Sequence, residues 1–281
     1  MGSKTGQVIY KKSRFSRILT GVTWIAAAMA MLMTIFLVAF ILIKGVGNLS
    51  GSLFALEYNS TNNSLIPAIV NTLSMTMLSL AVSGPLGIFA AIFLVEYAPK
   101  GGKIVGLIRI TAETLSGIPS IVYGLFGMLF FTTALGWGYS LLSGAFTMAI
   151  MILPLIMRTS EEALLSVPEA YREASFGLGA GKIRTIFRVV LPTAVPGILS
   201  GIILATGRVM GETAALIFTA GTVAKYAGVM DSGRSLAVHM YVLSSEGLHM
   251  DQAYATAVVL LVLVVCINGI SSLAARKMEK G

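Results

Sequence analysis

The chain has 281 residues, 56% of them hydrophobic and 11% charged, with a formal net charge of +8 and a mean hydropathy of +0.87. A soluble domain carries about a quarter charged residues, so this composition excludes a water-covered surface and makes the lipid bilayer the expected solvent. The basic excess does not indicate nucleic acid, because most Lys and Arg stand at the ends of apolar runs, where charge orients membrane segments.

Cys266, the single cysteine, lies inside the last apolar run, which excludes a disulfide framework and a cysteine metal site. His239 and His249 have no neighbours at metal-ligand spacing.

Residues 1–18 form a basic tail with Lys4, Lys11, Lys12, Arg14 and Arg17 and no acid, expected in the cytoplasm. The apolar run 19–43 has the roughly 20 residues needed to span a bilayer. It is longer than a signal-peptide core and lacks a small-residue cleavage site, which predicts a retained first anchor. Residues 44–66 are polar (GNLSGS, EYNSTNNS) and poor in basic side chains, hence expected outside. Asn59-Ser60-Thr61 satisfies the N-x-T sequon and Asn63-Ser64-Leu65 does not; in a bacterial protein the match carries little weight.

A second run covers 67–95 and is interrupted by Ser83-Gly84-Pro85 and Gly87, which membrane helices tolerate when neighbours satisfy the freed backbone. It returns the chain inside at EYAPKGGK. The third run, 104–132, places Arg109 and Glu113 at i,i+4 on one face, and Gly117-Ile118-Pro119-Ser120 predicts a kink or break. The fourth run, 141–157, follows the turn Gly136-Trp137-Gly138. A polar interruption, 158–192, separates it from a fifth run, 189–219. An outside segment, 221–251, holds Lys225, Asp231, Arg234, Glu246 and Asp251. The sixth run, 253–274, leads into a basic tail, 275–281. Six spans with both termini inside leave only Lys44, Arg208, Lys225 and Arg234 away from inside segments, as the positive-inside rule requires.

Within the interruption, Ser166-Val167-Pro168-Glu169 has the spacing of a helix capping box with Pro in the first turn. That predicts a short helix over 168–176. Gly177, Gly179 and Gly181 allow a reversal, and a second helix is expected from Lys182 toward Leu191-Pro192. Gly181-Lys182 falls short of a phosphate-binding GxxxxGK[ST] loop. Phe176 occupies the first Gly position and Ile183 the Ser/Thr position, so ATP hydrolysis would need a separate subunit.

The stretch EASFGLGAGKIRTIFRVVLP resembles the cytoplasmic coupling loop of ABC-importer permeases: Glu-Ala-Ala, three residues, Gly, nine residues, Ile-x-Leu-Pro. Glu173, Ala174, Gly179, Leu191 and Pro192 match at that spacing, while Ser175 replaces the second Ala and Val189 the Ile. The resemblance implies a helix that docks in a groove of the ATPase and transmits nucleotide-driven closure. The alternative is an ordinary amphipathic interfacial loop.

Arg208 and Glu212, in GRVMGETAAL, fall within the fifth run, where each charge costs about 2.5–3.5 kcal/mol on insertion scales. At i,i+4 they can pair, and Gly207 and Gly211 form a small-xxx-small stripe for a close helix neighbour. Two readings follow. The charges form an ion pair that fixes packing, or Arg208 offers forked donors to an oxyanion. Glu212 would then be the resting partner of Arg208 or the acceptor for a protonated phosphate hydroxyl.

IPSIVYGLFG, PLIMRTSEEALLSVP and GRVMGETAAL look like phosphate-importer permeases of the PstA type, with similarity from about Asn71 onward. The resemblance implies an all-α integral membrane protein of six transmembrane helices, the type I importer permease fold with a cytoplasmic coupling helix. The permease domain would cover 67–274, with the coupling loop at 158–192. It also implies a second permease (PstC-type), an ATPase dimer holding ATP and Mg (PstB-type) and an extracytoplasmic phosphate-binding protein (PstS-type). This chain would bind no cofactor itself and would lie in the bacterial cytoplasmic membrane. Arg109, Glu113 and Arg158 are further candidates at the cytoplasmic mouth, with structural pairing or interfacial anchoring as their other reading. The rival functions are a permease for sulfate or molybdate, a membrane enzyme acting on lipid phosphates, and a scaffold. The enzyme would want a cluster of His, Asp or Arg near one face, which the sequence lacks. The scaffold would leave the loop and the intramembrane Arg unexplained.

Overall fold

The computed structural model describes residues 14–99, 101–245, 247 and 249–279. Lys4, Lys11, Lys12, Lys100, Glu246 and Lys280, assigned above to inside or outside segments, lie outside the described residues, as do the side chains of Arg14, Arg276 and Lys277. Among the described residues the regular structure is entirely helical.

The chain divides into two units, Met1–Lys44 and Gly45–Gly281. The described part of the first unit lies in helix α1, Arg14–Val46, which ends two residues past the boundary; its Trp24, Leu32 and Phe36 side chains are exposed. The hydroxyls of Thr20, Thr23 and Thr34 donate to carbonyls four residues back, so these polar groups remain satisfied in an apolar surround.

In the second unit the expected outer loop 44–66 is ordered. A single turn, Gly51–Phe54, buries Leu53, and Leu65 N–H donates to Leu53 O at 2.8 Å. Both leucines pack with Ala68, Leu236 and Ala255, so apolar residues too few to register as a run pin this polar segment to the bundle.

Helix α2, Ile66–Ile92, continues as a wider π-helical turn, Phe93–Tyr97. It packs along helix α5, Leu141–Leu165. Gly87 permits this approach, since a Cβ there would stand 2.9 Å from Ile156 Cγ2. The buried hydroxyls of Thr72, Thr76, Ser79 and Ser83 donate to carbonyls four residues back. Ser79 also reaches Ala145 O of α5 at 3.0 Å. These bonds let a helix with many hydroxyls sit inside a core built on Met75, Met148, Ile152, Ile156 and Leu216.

The third run is broken. Helix α3, Lys103–Ser116, and helix α4, Ser120–Gly127, which continues as a π-helical stretch to Ala134, meet at 98°. The expected break at Gly117-Ile118-Pro119 is the hinge, because Pro119 holds an extended backbone (φ −59°, ψ 140°).

α5 extends beyond the expected end at Met157 by two turns. RTSEEALL contains no helix breaker, and Arg158 pairs with Glu162 one turn on, so the polar residues continue the helix. Helix α6, Glu169–Gly177, and helix α7, Lys182–Thr185, follow. A π-helical stretch, Ile186–Val190, joins α7 to helix α8, Leu191–Met210. The fifth run does not continue helically to Thr219. It stops at Met210, and helix α9, Ala214–Thr219, starts anew. The segment 221–251, expected outside, holds helix α10, Leu236–Ser245, and helix α11, Met250–Glu279, follows.

Five of these stretches are long and apolar enough to cross a membrane: Ser16–Val46, Ile66–Tyr97, Leu141–Leu165, Lys182–Met210 and Met250–Leu273. The bent pair α3–α4 makes a sixth if it counts as one span.

Candidate functional site

The interruption folds as a helix, a turn and a second helix. Pro168 precedes α6 without a side-chain cap. The expected capping box is not formed, because Ser166 Oγ donates to Ala163 O at 2.7 Å and Ser166 instead closes α5. What holds α6 is Arg172, which is buried. Its Nε and Nη2 lie 3.1 and 2.9 Å from Glu96 Oε1 at the end of α2, Nη1 donates to Val167 O, and Nη2 also donates to Leu164 O. One guanidinium therefore ties α6 to the ends of α2 and α5.

Sequence reasoning missed this anchor. Glu96 is the one acid at the end of the second run, and that was the available clue. Further ties are the Ser175–Thr185 hydroxyl bond at 2.8 Å and Lys182 Nζ, 4.7 Å above the centre of the Tyr97 ring.

The reversal uses one glycine. Gly179 takes φ +79°, whereas Gly177 and Gly181 keep ordinary angles. Glu173, Ala174 and Gly179 are exposed, Ser175 is half-buried, and Leu178 at the tip is 90% exposed. Leu191 packs against the buried cluster of Ile186, Val190 and Ala194, and Pro192 opens the first turn of α8 on an exposed face.

Arg208 lies half-buried in the last turn of α8, where a cation meets the partial negative charge of the free carbonyls. The expected pair with Glu212 is absent. An i,i+4 pair needs an unbroken helix, and the chain leaves the helix after Met210. Glu212 Oε1 instead accepts a hydrogen bond from Ala215 N–H at 3.1 Å, satisfying a donor at the start of α9. Arg208 forms no ion pair among the described residues, and it lies within electrostatic reach of Tyr123. The small-residue stripe also divides. Gly207 faces Asn268 of α11, and Gly211 meets only the Gly207 carbonyl oxygen one turn back among the described residues.

Arg109, Glu113 and Arg158 come together with Glu161, Glu162 and Met157 around a cavity of about 290 Å³ between α3 and α5. Arg109 turns away from its helix neighbour Glu113 and grips Glu161, with Nη2 and Nε at 2.6 and 2.7 Å from Oε1. Arg158 Nε lies 3.2 Å from Glu162. Three acids against two arginines make this cavity a poor oxyanion well on its own. Among the described residues no group of three His, Cys, Asp or Glu side chains could hold a metal ion.

Residues 83–280 match the family model described as binding-protein-dependent transport system inner membrane component. A probable ABC transporter permease protein of Bacillus subtilis is 34% identical over 276 residues, covering 90% of this chain and 92% of that protein. The phosphate transport system permease protein PstA 1 of Mycobacterium tuberculosis is 39% identical over 154 residues, which is 55% of this chain and half of that protein. Among solved structures, a chain of the inward-facing MetNI methionine ABC transporter superposes with a TM-score of 0.64 at 21% identity, covering 76% of this chain and 95% of that one.

Proposed function

The chain belongs to the family of binding-protein-dependent transport system inner membrane components, and from that premise we propose that its cargo is inorganic phosphate. It is a permease subunit of an ABC importer and not an enzyme; the ATPase is a separate subunit, and a substrate-binding protein delivers the solute. It is an inner-membrane component with several apolar helices.

The observation that carries the phosphate reading is Arg208, half-buried in GRVMGETAAL and without a carboxylate partner among the described residues. A guanidinium is charged at every relevant pH and presents a fork that matches oxyanion geometry. Glu212, held by a backbone N–H one turn away, does not neutralise it. The PstA relative supports phosphate as the oxyanion. The methionine transporter neighbour shares the fold alone, so the backbone does not choose the cargo.

The proposed mechanism is alternating access against a homologous PstC-type permease, with ATP and Mg on a PstB-type ATPase dimer and phosphate delivered by a PstS-type protein. Glu173, Ala174, Ser175 and Gly179 form the docking turn. The helical stretch Lys182–Met210, 29 residues or about 44 Å of rod, leads from that turn through Leu191 and Pro192 to Arg208 near its far end. A push on the turn is thereby carried to the anion site. The coupling turn and both termini lie in the cytoplasm. Arg109, Glu113 and Arg158 line the inner mouth, where Glu161 and Glu162 balance the arginines.

Radiolabelled phosphate, sulfate and molybdate uptake into vesicles containing the assembled complex, with and without ATP, tests this. ATP-dependent phosphate uptake is expected, and Arg208→Ala should reduce it about 100-fold or more through loss of two charge-assisted bonds, with assembly intact. Uptake of sulfate or molybdate in its place would reassign the cargo, and wild-type phosphate uptake by Arg208→Ala would defeat the site.

A further inference from the structure

At the end of the second unit opposite the coupling turn, a second buried arginine has no acid partner among the described residues. Arg234 is 4% exposed and His239, on α10, is fully buried. Arg234 sits over the ring of Tyr58, 4.9 Å from its centre, and His239 meets the same ring edge-on at 6.2 Å. The Tyr58 hydroxyl donates to Asn63 Oδ1 at 3.3 Å. Tyr58 is thus the hub of a cluster drawn from the ordered outer loop and the segment before α10.

Several backbone groups around the cluster are engaged. Asn71 Nδ2 donates to Lys225 O and Arg234 O, Asn71 Oδ1 accepts from Ala227 N–H, and Leu236 N–H donates to Thr72 Oγ1. Arg234 N–H donates to Val223 O. The side chains are not so engaged. Arg234 Nε and Nη2 and Asn63 Nδ2 are buried and complete no hydrogen bond among the described residues, and the His239 ring has only the Asn63 backbone beside it as a polar partner.

The identity of those atoms is informative. Nε and Nη2 form one edge of the guanidinium. In Arg172 that edge holds Glu96, and in Arg109 it holds Glu161. In Arg234 the same fork is buried with no acceptor, and none of the ion pairs among the described residues includes it. A cation–π contact returns only a fraction of the desolvation cost of a buried charge, and buried charges are otherwise paired. Asn63 Nδ2 adds a donor. Burial first, and then the neighbouring Arg234 charge, lower the His239 pKa to about 3 against the opposing contact with the Asn63 backbone, so its imidazole is neutral at ordinary pH and does not compete with Arg234 for an anion.

We propose that Arg234 and Asn63, against the neutral His239 ring, enclose a small inorganic anion, a halide or a compact oxyanion, that clamps the outer loop to the segment before α10. This site is separate from the Arg208 path and does not depend on which solute that path carries. Enclosure limits the ligand to a small ion, because a buried fork cannot be reached by a protein side chain without opening the cluster.

The test uses the assembled complex in detergent, with its thermal unfolding midpoint measured in sodium chloride, sodium phosphate and sodium gluconate at equal ionic strength. At several times its dissociation constant, chloride or phosphate should raise the midpoint over gluconate by about 2–4 °C. A response to phosphate alone assigns an oxyanion, and a response to both assigns a simple anion site.

Asn63→Asp is the discriminating variant. Asn63 has φ +47°, a conformation that Asp also tolerates, and the change puts a carboxylate oxygen where the unsatisfied Nδ2 now lies. This variant should match or exceed the wild-type midpoint in gluconate and lose the anion response. Identical wild-type midpoints in all three salts, or an undiminished response in Asn63→Asp, would overturn the proposal. Should that variant fail to assemble, bromide-soaked crystals of the wild-type complex decide. An anomalous peak within about 3.5 Å of Arg234 Nε and Nη2 supports the site, and the site is rejected if that peak is missing and phosphate-soaked crystals show no tetrahedral density there.

Discussion

Two arginines, Arg172 near the coupling turn and Arg234 near the outer loop, are both more than nine-tenths buried and are treated in opposite ways. Arg172 spends its donors on Glu96, Val167 O and Leu164 O, and becomes a bolt that positions α6. Arg234 has an equivalent fork and, among the described residues, only an aromatic face to meet it. The contrast teaches that burial of a cation does not by itself identify its role. The occupant of the Nε/Nη2 edge does.

The largest expected effect tests the bolt. Arg172→Ala strands the Glu96 carboxylate, and loss of one partner of a buried pair costs about 3–5 kcal/mol. Thermal unfolding should show that loss, while the double variant Glu96→Leu/Arg172→Met should recover most of it. If the double variant is as unstable as the single one, the pair is not what holds α6.

The next effect concerns the outer end and its pH dependence. The folded state holds His239 near 3, below the usual 6.5 of the unfolded chain. The unfolded state therefore binds the extra proton as pH falls, and stability drops from about pH 6.5 toward 3. The slope is about 1.4 kcal/mol per pH unit, or about 2 kcal/mol lost between 6.5 and 5. Unfolding midpoints in gluconate at pH 7 and pH 5 measure it. His239→Gln should flatten the slope, and an equal slope in that variant would show that another group titrates.

A smaller cost, about 1 kcal/mol, is expected for Gly179→Ala, since a Cβ at φ +79° is strained although no atom lies near it. An unchanged midpoint would mean that the reversal can relax. Least of all should Glu173→Lys alter stability, because the side chain is exposed and in no ion pair among the described residues. Its effect should appear as weakened ATPase capture and reduced uptake. Full uptake with normal ATPase binding would remove Glu173 from the docking surface.

Much of this architecture could be read before any coordinates. Apolar runs located the spans, Gly117-Ile118-Pro119 located the hinge between α3 and α4, and Lys182 marked the start of the helix leading back into the bundle. These are local properties, set by run length and by residues that forbid or force a backbone conformation. Charge partners were another matter. Arg208 and Glu212 have helical spacing but no common helix, Arg109 passes over Glu113 for Glu161, and Ser166 closes one helix instead of opening the next.

By itself the sequence determined the solvent, the number of apolar runs and the place of the polar interruption, because hydropathy and backbone sterics act within a few residues. It also carried the motifs that assign the family. Only the tertiary structure decided which carboxylate each arginine meets, because partners such as Glu96 and Arg172 are 76 residues apart and are joined by helix packing. The same packing buried Arg234 and His239 in a segment that the sequence reading expected outside and charged.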